Sequence, residues 1–225
     1  MRLIGLFIGL LTAACRPNFP HSSEKEINNS FQPILKFMDY KPGMTFADVG
    51  AAAGVSTVMM ATLMDKSTIY IQDIDTSKLK LRNVEKIIDF YSKQSKFDLR
   101  SRNKFQITIG NKEHSNLPEK TFDLIHSNAT IHAFDSPDSM LMDLRNKLKP
   151  TGRIFIRDCF KNDHSAGAYC SDKKCAKPLM TIDEFISLMK KNGFALVKRS
   201  PAIKGYPVFG FELVEPSTKE SRNRN

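Results

Sequence analysis

The sequence predicts an α/β fold: a doubly wound sheet, mostly parallel, with an antiparallel strand at the C-terminal end and helices on both faces. Three observations predict it. Apolar runs of strand length alternate with helical stretches through most of the chain. The first such run, Thr45 to Val49, passes straight into a loop of small residues, Gly50 to Gly54, and then into a helix. The last two runs have no helix between them. The segment joining them holds Pro201, Gly205 and Pro207, which favours antiparallel pairing.

The elements follow in order. A first helix is expected over Asn28 to Met38, with Phe31, Ile34, Leu35 and Met38 on one face. Lys41-Pro42-Gly43 is a turn before the strand at Thr45. Val55 to Met64 reads as an apolar helix, and Thr68 to Gln72 as a second strand ending at Asp73. Ser77 to Ser92 is amphipathic, with Leu81, Val84, Ile88 and Tyr91 at helical spacing. Phe105, Ile107 and Ile109 alternate as a strand, and Phe122 to Ser127 is the next. Ser136-Pro137 opens a helix, with Ser136 as N-cap and Met140, Leu141, Leu144 and Leu148 as its inner stripe. Lys149 to Gly152 turns the chain into a strand over Arg153 to Arg157. Thr181 and Glu184 form a capping-box pattern for a helix closed by Asn192-Gly193. Phe194 to Lys198 and Val208 to Val214 complete the sheet.

The chain of 225 residues suits one such domain behind a leader. Residues 1–15 read as a leader: Met1 and Arg2, an apolar run from Leu3 to Leu11, then Ala13-Ala14-Cys15. The run is too short to span a bilayer comfortably. The small residues before Cys15 resemble a bacterial lipoprotein cleavage box, although Thr12 stands where that pattern prefers Leu. The resemblance implies a lipidated Cys15 and a membrane surface as partner; the alternative is an uncleaved helix on a cytoplasmic protein. Residues 16–26 read as a tether, 27–215 as the domain and 216–225 as a polar tail. The formal charge of +10 favours anionic partners, but the cations are scattered. The densest group, Lys93, Lys96, Arg100, Arg102 and Lys104, has little aromatic company and is a weak nucleic-acid signal. Cys159, Cys170 and Cys175 contain no C-x-x-C pair, so no metal site is expected. In an exported protein Cys170 and Cys175 could bridge; in a cytosolic one all three would be thiols.

In doubly wound sheets ligands sit beyond the carboxyl ends of the strands. Asp48-Val49-Gly50-Ala51-Ala52-Ala53-Gly54 lies at such an end. Gly50 permits unusual backbone angles, Ala52 keeps bulk low, and Gly54 lets the next helix approach the strand. The apolar strand ending at Asp73 follows about twenty residues on, the separation of a ribose-binding acid. This pattern resembles motif I of the class I S-adenosylmethionine-dependent methyltransferases, D/E-x-G-x-G-x-G, with Ala52 at the middle glycine. Gly110-Asn111 with Leu117-Pro118 is similar to the family's G-D-A…L-P segment, and Phe122 to Asn128 to its F-D-L-V…N strand. Leu144 to Arg153 resembles L-R-R-x-L-K-P-G-G-R. The resemblance spans about Phe31 to Val214. It implies a Rossmann-like fold, S-adenosylmethionine as cofactor, and cofactor binding through Asp48, Gly50, Ala52, Gly54, Asp73, Asn111 and Asn128.

The family has no universal catalytic residue. His132, just past the fourth strand, is the candidate general base; His126, inside that strand, reads as a core residue. Ser127 to Thr130 lacks the D/N-P-P-Y form of nucleic-acid amino-methyltransferases, so a small-molecule acceptor is favoured. Two other readings are carried. One is a non-catalytic, membrane-tethered nucleoside-binding module. The other is a nicotinamide-dependent oxidoreductase, disfavoured because Val55 stands where the last glycine of G-x-G-x-x-G belongs.

Overall fold

A computed structural model describes residues 19–161, 178–201 and 207–214. The leader with Cys15, the polar loop expected over Lys161 to Lys177 beyond its first residue, Cys170 and Cys175, and the polar tail lie outside the described residues. Among the described residues no helix is long and apolar enough to cross a membrane.

Seven strands form one sheet in the order β3-β2-β1-β4-β5-β7-β6. They are β1 (Thr45–Val49), β2 (Thr68–Asp73), β3 (Lys104–Ile109), β4 (Phe122–Asn128), β5 (Leu148–Arg157), β6 (Phe194–Arg199) and β7 (Val208–Leu213). β1 through β5 pair in parallel, and β7 runs antiparallel between β5 and β6. The chain reverses direction of growth at β1: β2 and β3 extend one way, β4 and β5 the other. That reversal opens a crevice at the carboxyl ends of β1 and β4.

Period-two alternation assigns each strand residue to one of two cores. Phe46, Leu124, Phe155, Ile69 and Ile71 face α1 (Glu24–Phe37), α2 (Val55–Ala61) and α3 (Leu81–Ser95). Ala47, Val49, Ile125, Ile154 and Ile156 face α5 (Pro137–Lys147) and α6 (Ile182–Lys191). A short helix, α4 (Leu99–Arg102), which the periodicity did not predict, buries Leu99 ahead of β3. Asp123 ties the entry edge of the sheet together. Its carboxylate accepts from the Thr45 N–H at 2.8 Å and from Lys149 Nζ at 2.8 Å.

Several boundaries differ from expectation: α2 ends at Ala61 and not Met64, and β5 already begins at Leu148, so the stretch expected as a turn is strand. α1 begins at Glu24, not Asn28, because Ser23 and Glu26 make a full capping box. The segment before it is docked from Phe19 onward, inside the stretch expected to be a tether. Phe19 packs edge-on against Phe90 at 5.4 Å, and the Ser22 N–H donates to the Tyr91 hydroxyl at 3.2 Å. α3 begins at Leu81 because residues from Asp73 to Ser77 spend their polar groups on a turn. Ser136 is the N-cap of α5 by position, but its side chain makes no capping bond. Thr181 and Glu184 do form the expected capping box.

Candidate functional site

The small-residue loop closes over the end of β1 through left-handed backbone at three positions: Gly50 (φ 77°), Ala52 (φ 50°) and Gly54 (φ 79°). A Cβ on Gly50 would stand 2.2 Å from the Thr130 side chain, so the loop after β4 approaches here only because the side chain is missing. Gly50 N–H and Ala51 N–H both donate to the Gln72 carbonyl at 2.9 Å. Ala52 N–H donates to Asp73 Oδ2 at 2.6 Å, and Gly54 N–H to the Ala51 carbonyl at 2.8 Å. Ala52 holds an angle that costs an L-residue roughly 1–2 kcal/mol. Its bond to Asp73 helps offset that cost.

The other oxygen of Asp73 accepts from the Asp75 N–H at 2.8 Å. Backbone donors on both sides therefore fix the carboxylate plane, while each oxygen retains a lone pair for a ligand hydroxyl. Asp75 has a different task. The Ser77 hydroxyl and then the Ser77 N–H hold its carboxyl down to about 2, the signature of a turn into α3.

These residues border a cavity of about 320 Å³ whose wall includes Gly50, Ala52, Gln72, Asp73, Asn111 and Ala133. Ile74, exposed and apolar, and Met140 also line it. Lys112 and Asp135 meet across its rim at 2.9 Å, and that bond raises the Lys112 pKa. An adenosine-bearing ligand fits this chemistry. A carboxylate with spare acceptor capacity sits beside a backbone cradle that a Cβ would fill. The volume falls within the ordinary range for small-ligand sites.

Of the cofactor residues expected from the sequence, Gly50, Ala52, Asp73 and Asn111 meet at this cavity. Gly54 sits behind them as the N-cap of α2. Asp48 and Asn128 lie outside the wall. Asp48 shares the face of β1 with Phe46, so alternation turns its carboxylate down toward α2. There, 4% exposed, it accepts from Thr57 Oγ1 and pairs with His126 Nδ1 at 2.9 Å. Asn128 ends β4 with its amide oxygen 3.4 Å from Arg157. Asn111 lines the cavity, but its amide oxygen accepts from Glu113 N–H at 2.9 Å and His114 N–H at 2.8 Å. Gln72 and Thr130 were missed. Gln72 had a signal in its place beside Asp73 at a strand's carboxyl end.

His132 stands on a 3-10 turn, Ile131–Ala133, flanked by Thr130 and Ala133 of the cavity wall. Its Nδ1 bonds Asp158 Oδ1 at 2.5 Å, and its N–H donates to Asp158 Oδ2 at 3.1 Å. Asp158 follows β5 and is 2% exposed. The hydrogen bond to Asp158 raises the His132 pKa above its ordinary 6.5, against the opposing pull of burial. The sequence reading did not pair these residues, which are 26 positions apart. Cys159 brings a third ligand atom within 4.8 Å, but it is disulfide-bonded and offers no thiolate. The bridge expected from the sequence, between Cys170 and Cys175, lies outside the described residues.

A family described as a methyltransferase domain matches residues 40–199, most of the chain. The chain belongs to that family. It is a class I, S-adenosylmethionine-dependent methyltransferase domain. A phosphoethanolamine N-methyltransferase of Arabidopsis thaliana is 26% identical over 164 residues, 72% of this chain. The chain spans only 28% of that protein's length. Among solved structures, an S-adenosylmethionine-dependent methyltransferase from Aquifex aeolicus superposes with a TM-score of 0.59 at 19% identity. That match covers 85% of this chain and 97% of the other. An arsenic(III) methyltransferase from Chlamydomonas reinhardtii gives 0.59 at 15% identity, over 89% of this chain and 76% of the other. At such identities the likeness shows the fold.

Proposed function

We propose that this methyltransferase domain methylates a small-molecule acceptor bound beside the Ile131–Ala133 turn, with His132 as general base. The observation that carries the reading is the His132–Asp158 pair, held on the turn whose neighbours Thr130 and Ala133 line the cofactor cavity. When bound, S-adenosylmethionine supplies a methyl group already activated on sulfur. The protein's part is alignment, exclusion of water, and removal of one proton from the acceptor. Asp73 holds the nucleoside end through its oriented carboxylate. Asp158 keeps Nδ1 of His132 engaged, leaving Nε2 as the atom that takes the proton. The Asp158 bond makes that nitrogen more basic.

The relative that methylates phosphoethanolamine makes phosphoethanolamine the first acceptor to try. Purified protein, labelled S-adenosylmethionine and a panel of amines and alcohols, read by mass spectrometry of products, test the activity. Transfer to no small molecule, with transfer to RNA or protein instead, would overturn the acceptor class. Asp73→Ala should weaken S-adenosylhomocysteine binding about tenfold or more, since hydrogen bonds to a charged group contribute roughly 1.5–3 kcal/mol. Calorimetry reads this directly. Membrane attachment through a lipidated Cys15 belongs to the same proposal and rests on the sequence. Labelled fatty acid should enter the wild-type chain and not Cys15→Ala; no label in wild type would refute attachment.

A further inference from the structure

The loops after β4 and β5 bring three metal-ligating side chains together. A ring nitrogen of His132, a carboxylate oxygen of Asp158 and Sγ of Cys159 all lie within 4.8 Å of one another. Asp158 and Cys159 are buried, and the His132 ring, partly open, is the side from which an ion enters. The carboxylate is aimed by backbone as well as by the ring. Its Oδ1 accepts from the Cys159 N–H at 2.7 Å and its Oδ2 from the His132 N–H at 3.1 Å. Both bonds remain when the ring gives up its own bond to Oδ1. Anchoring of this kind presets a ligand before the metal arrives.

Cys159 is disulfide-bonded, and its partner is one of the cysteines outside the described residues. A disulfide sulfur carries no charge and is no thiolate ligand. Exchange with a dithiol reductant breaks the S–S bond, leaves two protein thiols and converts the reductant to its cyclic disulfide. A divalent ion then binds the Cys159 sulfur and sends the thiol proton to solvent. Starting from a neutral ring protonated on Nδ1, that proton passes to Nε2, and Nδ1 gives its lone pair to the ion. Thiolate and carboxylate together cancel the two charges of the ion. One nitrogen, one oxygen and one sulfur suit a zinc-class ion in a tetrahedral site with its fourth position open. Mg2+ and Ca2+ take oxygen ligands instead.

We infer that the reduced protein binds one zinc-class divalent ion through His132, Asp158 and Cys159, and that the Cys159 disulfide abolishes this site. The inference does not depend on His132 acting as a base. Where His132 is the base, the bound ion silences it, because Nε2 then already holds the proton it would otherwise take.

Co2+ is the probe, read by the ultraviolet absorption of thiolate bound to cobalt, in untagged protein under a phosphine reductant. Reduced wild type should bind one Co2+ with this band, and Zn2+ should displace it. Cys170→Ser/Cys175→Ser should keep the band and Cys159→Ser should lose it. His132→Ala should weaken Co2+ binding about a hundredfold or more, since loss of even an outer-shell partner costs about 10–100-fold. Oxidised wild type should bind Co2+ far more weakly than reduced. Melting curves of the metal-free variants verify folding; should Cys159→Ser not fold, His132→Ala decides alone. A band absent from reduced wild type, lost in the double variant or surviving Cys159→Ser overturns the inference. Undiminished binding by His132→Ala, or equal binding before and after reduction, also overturns it. The cofactor site stands in either case.

Discussion

Of the three aspartate–histidine pairs among the described residues, the two closest, His126–Asp48 and His132–Asp158, have settings that differ. His126 and Asp48 are register partners on adjacent parallel strands, 3% and 4% exposed, with the His126 ring stacked near Phe46. Thr57 of α2 donates to the same carboxylate. The pair locks α2 to the sheet below the glycine loop. His132 and Asp158 come from loops past β4 and β5, and the His132 side chain keeps 15% of its surface open. The same two residue types thus serve as a rivet in one place and, on the proposed function, as a base in the other. Solvent and ligand access divides the roles: a proton can be handed on only where an acceptor can reach the ring.

The comparison predicts opposite outcomes for matched substitutions. The largest effect is expected at the buried pair. His126→Ala leaves Asp48 without its ring partner and opens a cavity beside Phe46. Unfolding free energy should fall by about 2–4 kcal/mol, read by denaturant titration. A fall under a few tenths would remove the rivet reading. At the rim, His132→Ala should cut turnover about a hundredfold, the scale of a lost general base, with S-adenosylhomocysteine binding unchanged. Unchanged turnover would make the two pairs alike in being structural.

The smallest effect lies in pH dependence. Asp158 raises the His132 pKa, so the pair's stabilisation is fully present below the unfolded value near 6.5 and lost as pH rises through the folded value. Asp158→Asn should therefore destabilise the domain more at about pH 6 than at about pH 9. The acidic limb of the wild-type rate profile should also move to lower pH in this variant. Equal destabilisation at both pH values would show that the hydrogen bond does not favour the charged ring.

How legible each part was depends on how local its cause is. The glycine loop and Asp73 are joined by backbone groups within one βαβ unit, so residue type and spacing announced both. The α1 start was announced too, by Ser23-Glu24-Lys25-Glu26, a capping-box pattern hidden in a stretch taken for a tether. Asp48 shows the limit. Its place in the motif was readable, but which way it points follows from strand alternation against α2. Asn111 lines the cavity, while the bonds that occupy its oxygen depend on the turn its own loop makes.

By itself the sequence determined the alternation of strand and helix, the loop that opens the crevice, and the acid beside it. These are properties of neighbours along the chain, governed by periodicity and backbone freedom. The tertiary structure alone decided that Asp158 meets His132 and that His126 meets Asp48. It also decided that Gln72 is buried against Gly110. Those pairings depend on strand register and on loops converging from distant parts of the chain. No local pattern encodes which of several acids a given histidine will find.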